Sequence, residues 1–196
     1  MRSVLLCLTA AVLLAAPAAA SAQEAGPASS KPVSVERPAP LDQLFADLRR
    51  ESKEYAAKRI ADRIWTRWRD SGSASIDVMM QWADDAAKAE KWAVALDFLD
   101  RVTVLAPDFA EGWNRRATVH FMMKNYRKSM ADIERTLRLE PRHFGALAGM
   151  AQILKDTGRK QLALDAYERV LQIYPMMRSA QAEVVTLSDE LAGQGI

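Results

Sequence analysis

Ala110–His143 reads AEGWNRRATVHFMMKNYRKSMADIERTLRLEPRH, and this stretch decides the fold. It holds two helical patterns parted by a turn at Lys124-Asn125, and its second pattern stops just before Pro141. The windows on either side, Ile76–Phe109 and Phe144–Met177, align with it without a gap. Their turns fall at Glu90-Lys91 and Gly158-Arg159, and Pro107, Pro141 and Pro175 recur every 34 residues. Proline ends each second helix because it lacks the backbone N–H and disfavours helix in the residue ahead of it. A fixed period of this length marks stacked helical hairpins. One hairpin cannot bury its apolar face alone. The units must stack, and a stack presents an extended surface rather than a closed pocket.

The three windows resemble the tetratricopeptide repeat family, whose pattern runs W-x2-L-G-x2-Y, then A-x3-F, then P. The middle window supplies Trp113, Arg116, Ala117, His120, Ser129, Ile133 and Pro141 at those places. The last supplies Leu147, Met150, Ala151, Leu154, Ala163, Tyr167 and Pro175, and the first Met79, Trp82, Ala83, Ala86, Ala95, Leu99 and Pro107. The small residue of the first helix is alanine each time, where two helices must approach closely. Trp92 and Tyr126 stand at the turn aromatic, and Lys160 departs from it. Arg116, His120 and Ser129 depart as well, so the middle repeat is expected to pack less tightly. The resemblance implies an all-α fold: an α-solenoid, a right-handed superhelical stack of antiparallel hairpins. It holds three repeats, 76–109, 110–143 and 144–177, plus capping helices.

The flanks complete the array. Leu41, Leu44, Phe45 and Leu48 share one helical face, and Ile60, Ile64 and Trp68 a second, with Ala57, Ala61 and Trp65 alongside. Ser71-Gly72-Ser73 ends that helix, and Ser73 or Ser75 with Asp77 is expected to start the next. The segment 41–75 lacks the proline period. It reads as a degenerate hairpin capping the N-terminal end of the stack. Residues 178–196 form the opposite cap, with Ala180, Val184, Leu187 and Leu191 inward and polar residues outward.

Ahead of these lies an export signal. Arg2, the apolar run Val4–Ala16 and the A-x-A site Ala20-Ser21-Ala22 predict cleavage after Ala22 and a periplasmic protein. Gln23–Pro40 carries four prolines among small and charged residues and reads as a disordered linker. Cys7, the one cysteine, falls inside the leader, so the mature chain holds no thiol for disulfides, catalysis or metal. Without Arg2, 26 Lys and Arg face 25 Asp and Glu, and no basic footprint for nucleic acid remains.

Catalytic and cofactor motifs do not occur: no nucleophile elbow, no phosphate loop, no dinucleotide fingerprint. The two histidines, His120 and His143, have no metal-ligand spacing. His120 reads as a core histidine at the usual aromatic position, and His143 as an exposed turn residue. The carboxylate pairs Asp84-Asp85 and Asp132/Glu134 read as ordinary charged helix faces. The reading is therefore a protein with no catalytic residue, cofactor or metal.

A first-helix stripe at repeat positions 5, 9 and 12 lies roughly 110° round from the core stripe. The family resemblance makes it the lining of a concave groove: Met80, Asp84 and Ala87; Asn114, Thr118 and Phe121; Ala148, Gln152 and Lys155; with Arg115 and Met122 flanking. Amides there can pair with a peptide backbone, while Phe121 and the methionines offer an adaptable apolar floor. The Lys/Asn carboxylate clamp of chaperone-binding members is absent, since Met80 and Asp84 occupy the early positions. The function expected is a non-enzymatic scaffold binding a protein or peptide segment. The alternative is a peripheral adaptor on a membrane or cell-wall surface. It would use the stretch 49–69, whose eight basic and three acidic residues include Arg59, Arg63 and Arg67 beside Trp65 and Trp68.

Overall fold

The structure is a computed structural model, and it describes residues 40–193. The predicted export leader and all of the predicted linker but Pro40 lie outside the described residues. Among the described residues nine helices follow in order: α1 (Leu41–Arg50), α2 (Glu54–Arg69), α3 (Ala74–Lys88), α4 (Trp92–Leu105), α5 (Ala110–Met122), α6 (Tyr126–Leu139), α7 (Phe144–Asp156), α8 (Lys160–Ile173) and α9 (Arg178–Gly193). The pairs α3–α4, α5–α6 and α7–α8 are the three repeats, and no strand occurs among the described residues.

Each turn inside a repeat places one residue in the left-handed region at the same repeat position. These are Glu90 (φ 56°), Lys124 (φ 58°) and Gly158 (φ 76°). That conformation brings the next N–H back onto the helix just ended: Lys91 onto Ala86 O, Asn125 onto His120 O and Arg159 onto Leu154 O. Only the third repeat uses glycine, which adopts this φ without strain. Between repeats, the prolines occupy β-turns closed by Phe109 N–H to Ala106 O, His143 N–H to Glu140 O and Met177 N–H to Tyr174 O. Two local devices thus generate the antiparallel zigzag. Hydrophobic burial then stacks it through Leu99 and Val102 in α4, Ala117 in α5, Ile133 in α6, and Leu147 and Ala151 in α7.

Two of the three departures in the middle repeat are held by hydrogen bonds. Where the family pattern carries an apolar residue, Arg116 makes two bonds to the Asp132 carboxylate (2.9 and 2.8 Å). It also reaches Asp100 (2.8 Å) and Thr103 Oγ1 (3.0 Å), and lies over the Trp113 ring. Ser129, fully buried, donates to Ala117 O at 2.8 Å. His120 is buried as expected, and burial lowers its pKa. Arg116 and Ser129 are thus compensated by hydrogen bonds, whereas His120 Nδ1 is buried without a partner.

The N-terminal hairpin departs from expectation. It does not cover the free side of α3. Its apolar face (Leu44, Phe45, Leu48, Ala57, Ala61, Ile64 and Trp68) shares one core with α7, α8 and α9. Along α2, Trp68 stacks on the His143 ring (4.0 Å, 8°), and Trp65 meets Phe144 edge-on (5.5 Å). Nearer its start, Glu54 pairs with Arg178 at the beginning of α9 (2.9 Å). In α1, Asp42 binds Arg142, whose guanidinium sits over Phe45 at 4.1 Å. The hairpin therefore runs along the edge where the starts of α7 and α9 lie. At the other end, α9 caps the array as predicted, with Ala180 and Leu187 buried.

Ser73 stands at the start of α3 but makes no side-chain cap. Asp77 instead accepts from Ser71 N–H (3.2 Å) and Ser71 Oγ (2.6 Å), tying α3 back to the turn at Gly72.

Candidate functional site

The predicted stripe splits into a spent part and a free part. Met80 is 8% exposed and belongs to the core of the first repeat with Val102 and Val119, so it is not on an open groove floor. Asn114, also 8% exposed, gives its amide to Glu111 (2.9 Å). Asp84 pairs with Arg115 at 3.2 Å. Gln152 donates to Asp156 (2.7 Å) and accepts from Tyr167 (3.1 Å). Lys155 is bound to Glu183 of α9. These polar groups already hold the helices together.

Thr118, Phe121 and Met122 remain open. Thr118 and Met122 are exposed, Phe121 is half-buried, and the Thr118 hydroxyl donates to Asn114 O at 3.0 Å. Thr118 and Phe121 border a cleft of about 130 Å³ between α5 and α7, closed at the back by Ala117, Ser129 and Ile133; Met122, next along α5, is not part of its lining. The α7 wall carries Gly145 and Gly149, one helical turn apart on the same face. A Cβ on Gly149 would meet only Ile133 Cδ1, at 3.6 Å, so its lack of a side chain leaves the cleft open. Gly145 has another reason: a Cβ there would lie 2.6 Å from the Trp65 ring. The glycine pair in FGALAGMA was legible in the sequence as a bare helix face.

Behind the cleft lies a buried network that sequence reasoning missed. The Glu111 side chain is fully buried and gathers Asn114, Arg115 Nε (2.7 Å) and His143 Nε2 (3.1 Å). His143, expected in the open, is 0% exposed, because Trp68 covers its ring. Its Nδ1 accepts the Ala146 N–H (3.1 Å) and caps α7. That bond requires a bare Nδ1, so the ring is neutral and Nε2–H donates to the carboxylate. Burial alone would raise the Glu111 pKa. The His143 hydrogen bond and the Arg115 charge outweigh it, and the carboxyl is held below its ordinary range. Through Arg115 and Asp84 the network ties all three repeats together, and the stack of Trp68 on His143 joins the N-terminal hairpin to it.

The basic stretch keeps its exposed cations but not its tryptophans. Trp68 is 7% exposed and Trp65 is half-buried, whereas Arg59, Arg63 and Arg67 face solvent one turn apart. No helix among the described residues is long and apolar enough to cross a membrane. A second, larger cleft of about 640 Å³ lies between α2 and the starts of α7 and α9, lined by Tyr55, Trp65, Phe144, Tyr174 and Met177.

Comparison with known proteins places this architecture. No family model matches the chain. A TPR repeat-containing protein of Rhizobium etli is 56% identical over 153 residues, covering 78% of this chain and 75% of that protein. Among solved structures, the first TPR of Spaghetti (RPAP3), bound to the HSP90 peptide SRMEEVD, superposes with TM-score 0.57 and 21% identity. It covers 60% of this chain and 93% of that one. The Sgt2 TPR domain of Aspergillus fumigatus gives 0.58 at 15% identity, covering 63% and 83%. MamA protein gives 0.55 at 15% identity, covering 76% and 79%. These structural likenesses speak to the fold.

Proposed function

The chain belongs to the tetratricopeptide-repeat proteins, and from that premise we propose that it is a non-enzymatic, exported scaffold holding a segment of a partner protein at the α5–α7 cleft. The observation that carries this reading is the glycine-walled cleft, floored by Phe121 and edged by exposed Thr118, with exposed Met122 next along α5. An apolar side chain of the partner fits such a recess, and methionine adapts to its shape. The peptide held by the Spaghetti domain is a ligand of the same class on the same fold. The leader ending at Ala20-Ser21-Ala22 supports export to the periplasm.

Affinity capture from an envelope extract tests the site. Phe121→Ala with Met122→Ser should abolish partner recovery while helicity and melting stay nearly unchanged. Asn114 is left intact, since its amide belongs to the buried network. Arg59→Glu with Arg63→Glu is the control. Loss of the partner in the control, with recovery by the cleft variant, would transfer the binding surface to α2. Export has its own readout: the intact mass of the exported protein should begin at Gln23.

A further inference from the structure

We infer that two copies of this chain pair through the free face of the first repeat, around Val78, Trp82 and Phe98. In repeats 2 and 3 the equivalent positions are covered by the second helix of the preceding repeat. Gly112 and Ala146 stand where Val78 does, and both are buried. Asp132 and Ala166 stand where Phe98 does, 5% and 3% exposed. The covering helix is in contact: a Cβ on Gly112 would lie 2.7 Å from Val102 of α4, and Ile133 of α6 shares a core with Ala146. In the first repeat no described residue covers them. Val78 is 44% and Trp82 53% exposed, and Trp82 leans on Phe98 at 5.4 Å.

The chain's own spare hairpin is not available to cover this face, because α1 and α2 bury their apolar side against α7, α8 and α9. A terminal repeat with no further partner normally turns a polar face outward, and exposed tryptophan on such a face marks a contact surface. The face also suits a copy of itself. Beside the projecting Trp82 lies a cleft of about 490 Å³ reaching Ala86, Lys91 and Val94. Projection and recess share one surface, so a two-fold axis lets each Trp82 enter the other copy's cleft. Charges of both signs border this face: Lys91 lines the cleft, and Asp97 and Arg101 lie one turn along α4 from Val94 and Phe98, each exposed and without an ion pair among the described residues. A mixed rim attracts its own copy, where a single-signed rim would repel it.

Sedimentation equilibrium of the protein tests this. The expected result is a dimer whose dissociation constant rises at least about 30-fold in Val78→Ser with Trp82→Ser, the scale of a lost interface anchor. Both positions are solvent-facing, so helicity and melting of the monomer should hold. Lys91→Glu with Arg101→Glu replaces both unpaired cations by carboxylates and should weaken the dimer most at low salt. Phe121→Ala with Met122→Ser should leave the dimer intact, which separates this face from the cleft. A monomer at the highest soluble concentration, or an equally tight dimer in the Trp82 variant, overturns the inference. So does a dimer broken only by the cleft variant.

Discussion

The two ends of this array solve the same problem in opposite ways. At the C-terminal end, α9 closes the last repeat and the N-terminal hairpin adds an aromatic buttress of Phe45, Trp65 and Trp68 against His143 and Phe144. At the N-terminal end, no described residue covers the outer face of α3 and α4, and Trp82 stands half in water. The middle repeat lies between them, held by ions and hydrogen bonds through Arg116 and Glu111. In a nearest-neighbour stack, stability is a sum of units and interfaces. Repeat 3 should therefore be the best-protected part of the molecule and repeat 1 the first to open.

Trp68→Ala should be the most damaging single change. It removes a buried ring that touches Phe45, His143 and Phe144, at a cost of about 3–5 kcal/mol in chemical denaturation. Amide exchange should speed up in α1, α2 and the start of α7, equalising the two ends. If α3 and α4 lose protection most, the buttress is not where stability resides.

Two overpacking variants come next. Ala117→Leu crowds a buried site in the middle repeat, and Gly145→Val drives a side chain into Trp65. Each should cost about 1–3 kcal/mol. Their signatures should differ: the first lowers the midpoint for every repeat, the second chiefly loosens α2. An unchanged midpoint for Ala117→Leu would show that this helix contact tolerates a branched side chain.

Glu111 links the comparison to pH. Its folded carboxyl is held below the ordinary range. Its contribution is thus present above the unfolded carboxylate pKa and is lost as pH falls through the lower folded value. Glu111→Gln should remove part of the acid-side loss while lowering neutral-pH stability by about 1–3 kcal/mol. Identical acid limbs for both proteins would mean other carboxylates control it.

The smallest expected effect is a gain. Lys124 holds the left-handed position that Gly158 fills in repeat 3. Lys124→Gly relieves that strain but gives the unfolded chain more freedom, for a net stabilisation under about 1 kcal/mol. Equilibrium denaturation beside Gly158→Ala, which should lose stability, checks the sign.

Much of this was legible before any coordinates. Pro107, Pro141 and Pro175 placed the ends of α4, α6 and α8 to within two residues, since a missing N–H acts locally. The alanines at the close approaches are buried where the repeat pattern put them. The groove stripe was legible as a face but not as a surface, because helical angle says nothing of what the next helix does with it. Met80 is covered, Asn114 and Gln152 are engaged within the molecule, and only the stretch around Phe121 stays open.

By itself, then, the sequence determined the period, the helices, their turns and the inward face of each, because these follow from backbone chemistry and side-chain spacing over a few residues. Tertiary structure decided what met those faces. Leu44, Phe45, Leu48 and Trp68 announced that a hairpin must bury something, and burial is non-directional, so the pattern matched either end of the stack. Contacts spanning long stretches of chain, Asp42 to Arg142 and Glu54 to Arg178, seat it beside α7 and α9. His143 shows the same division. It follows a proline in a turn, which reads as exposed, and it is buried because a tryptophan from a distant helix lies flat upon it.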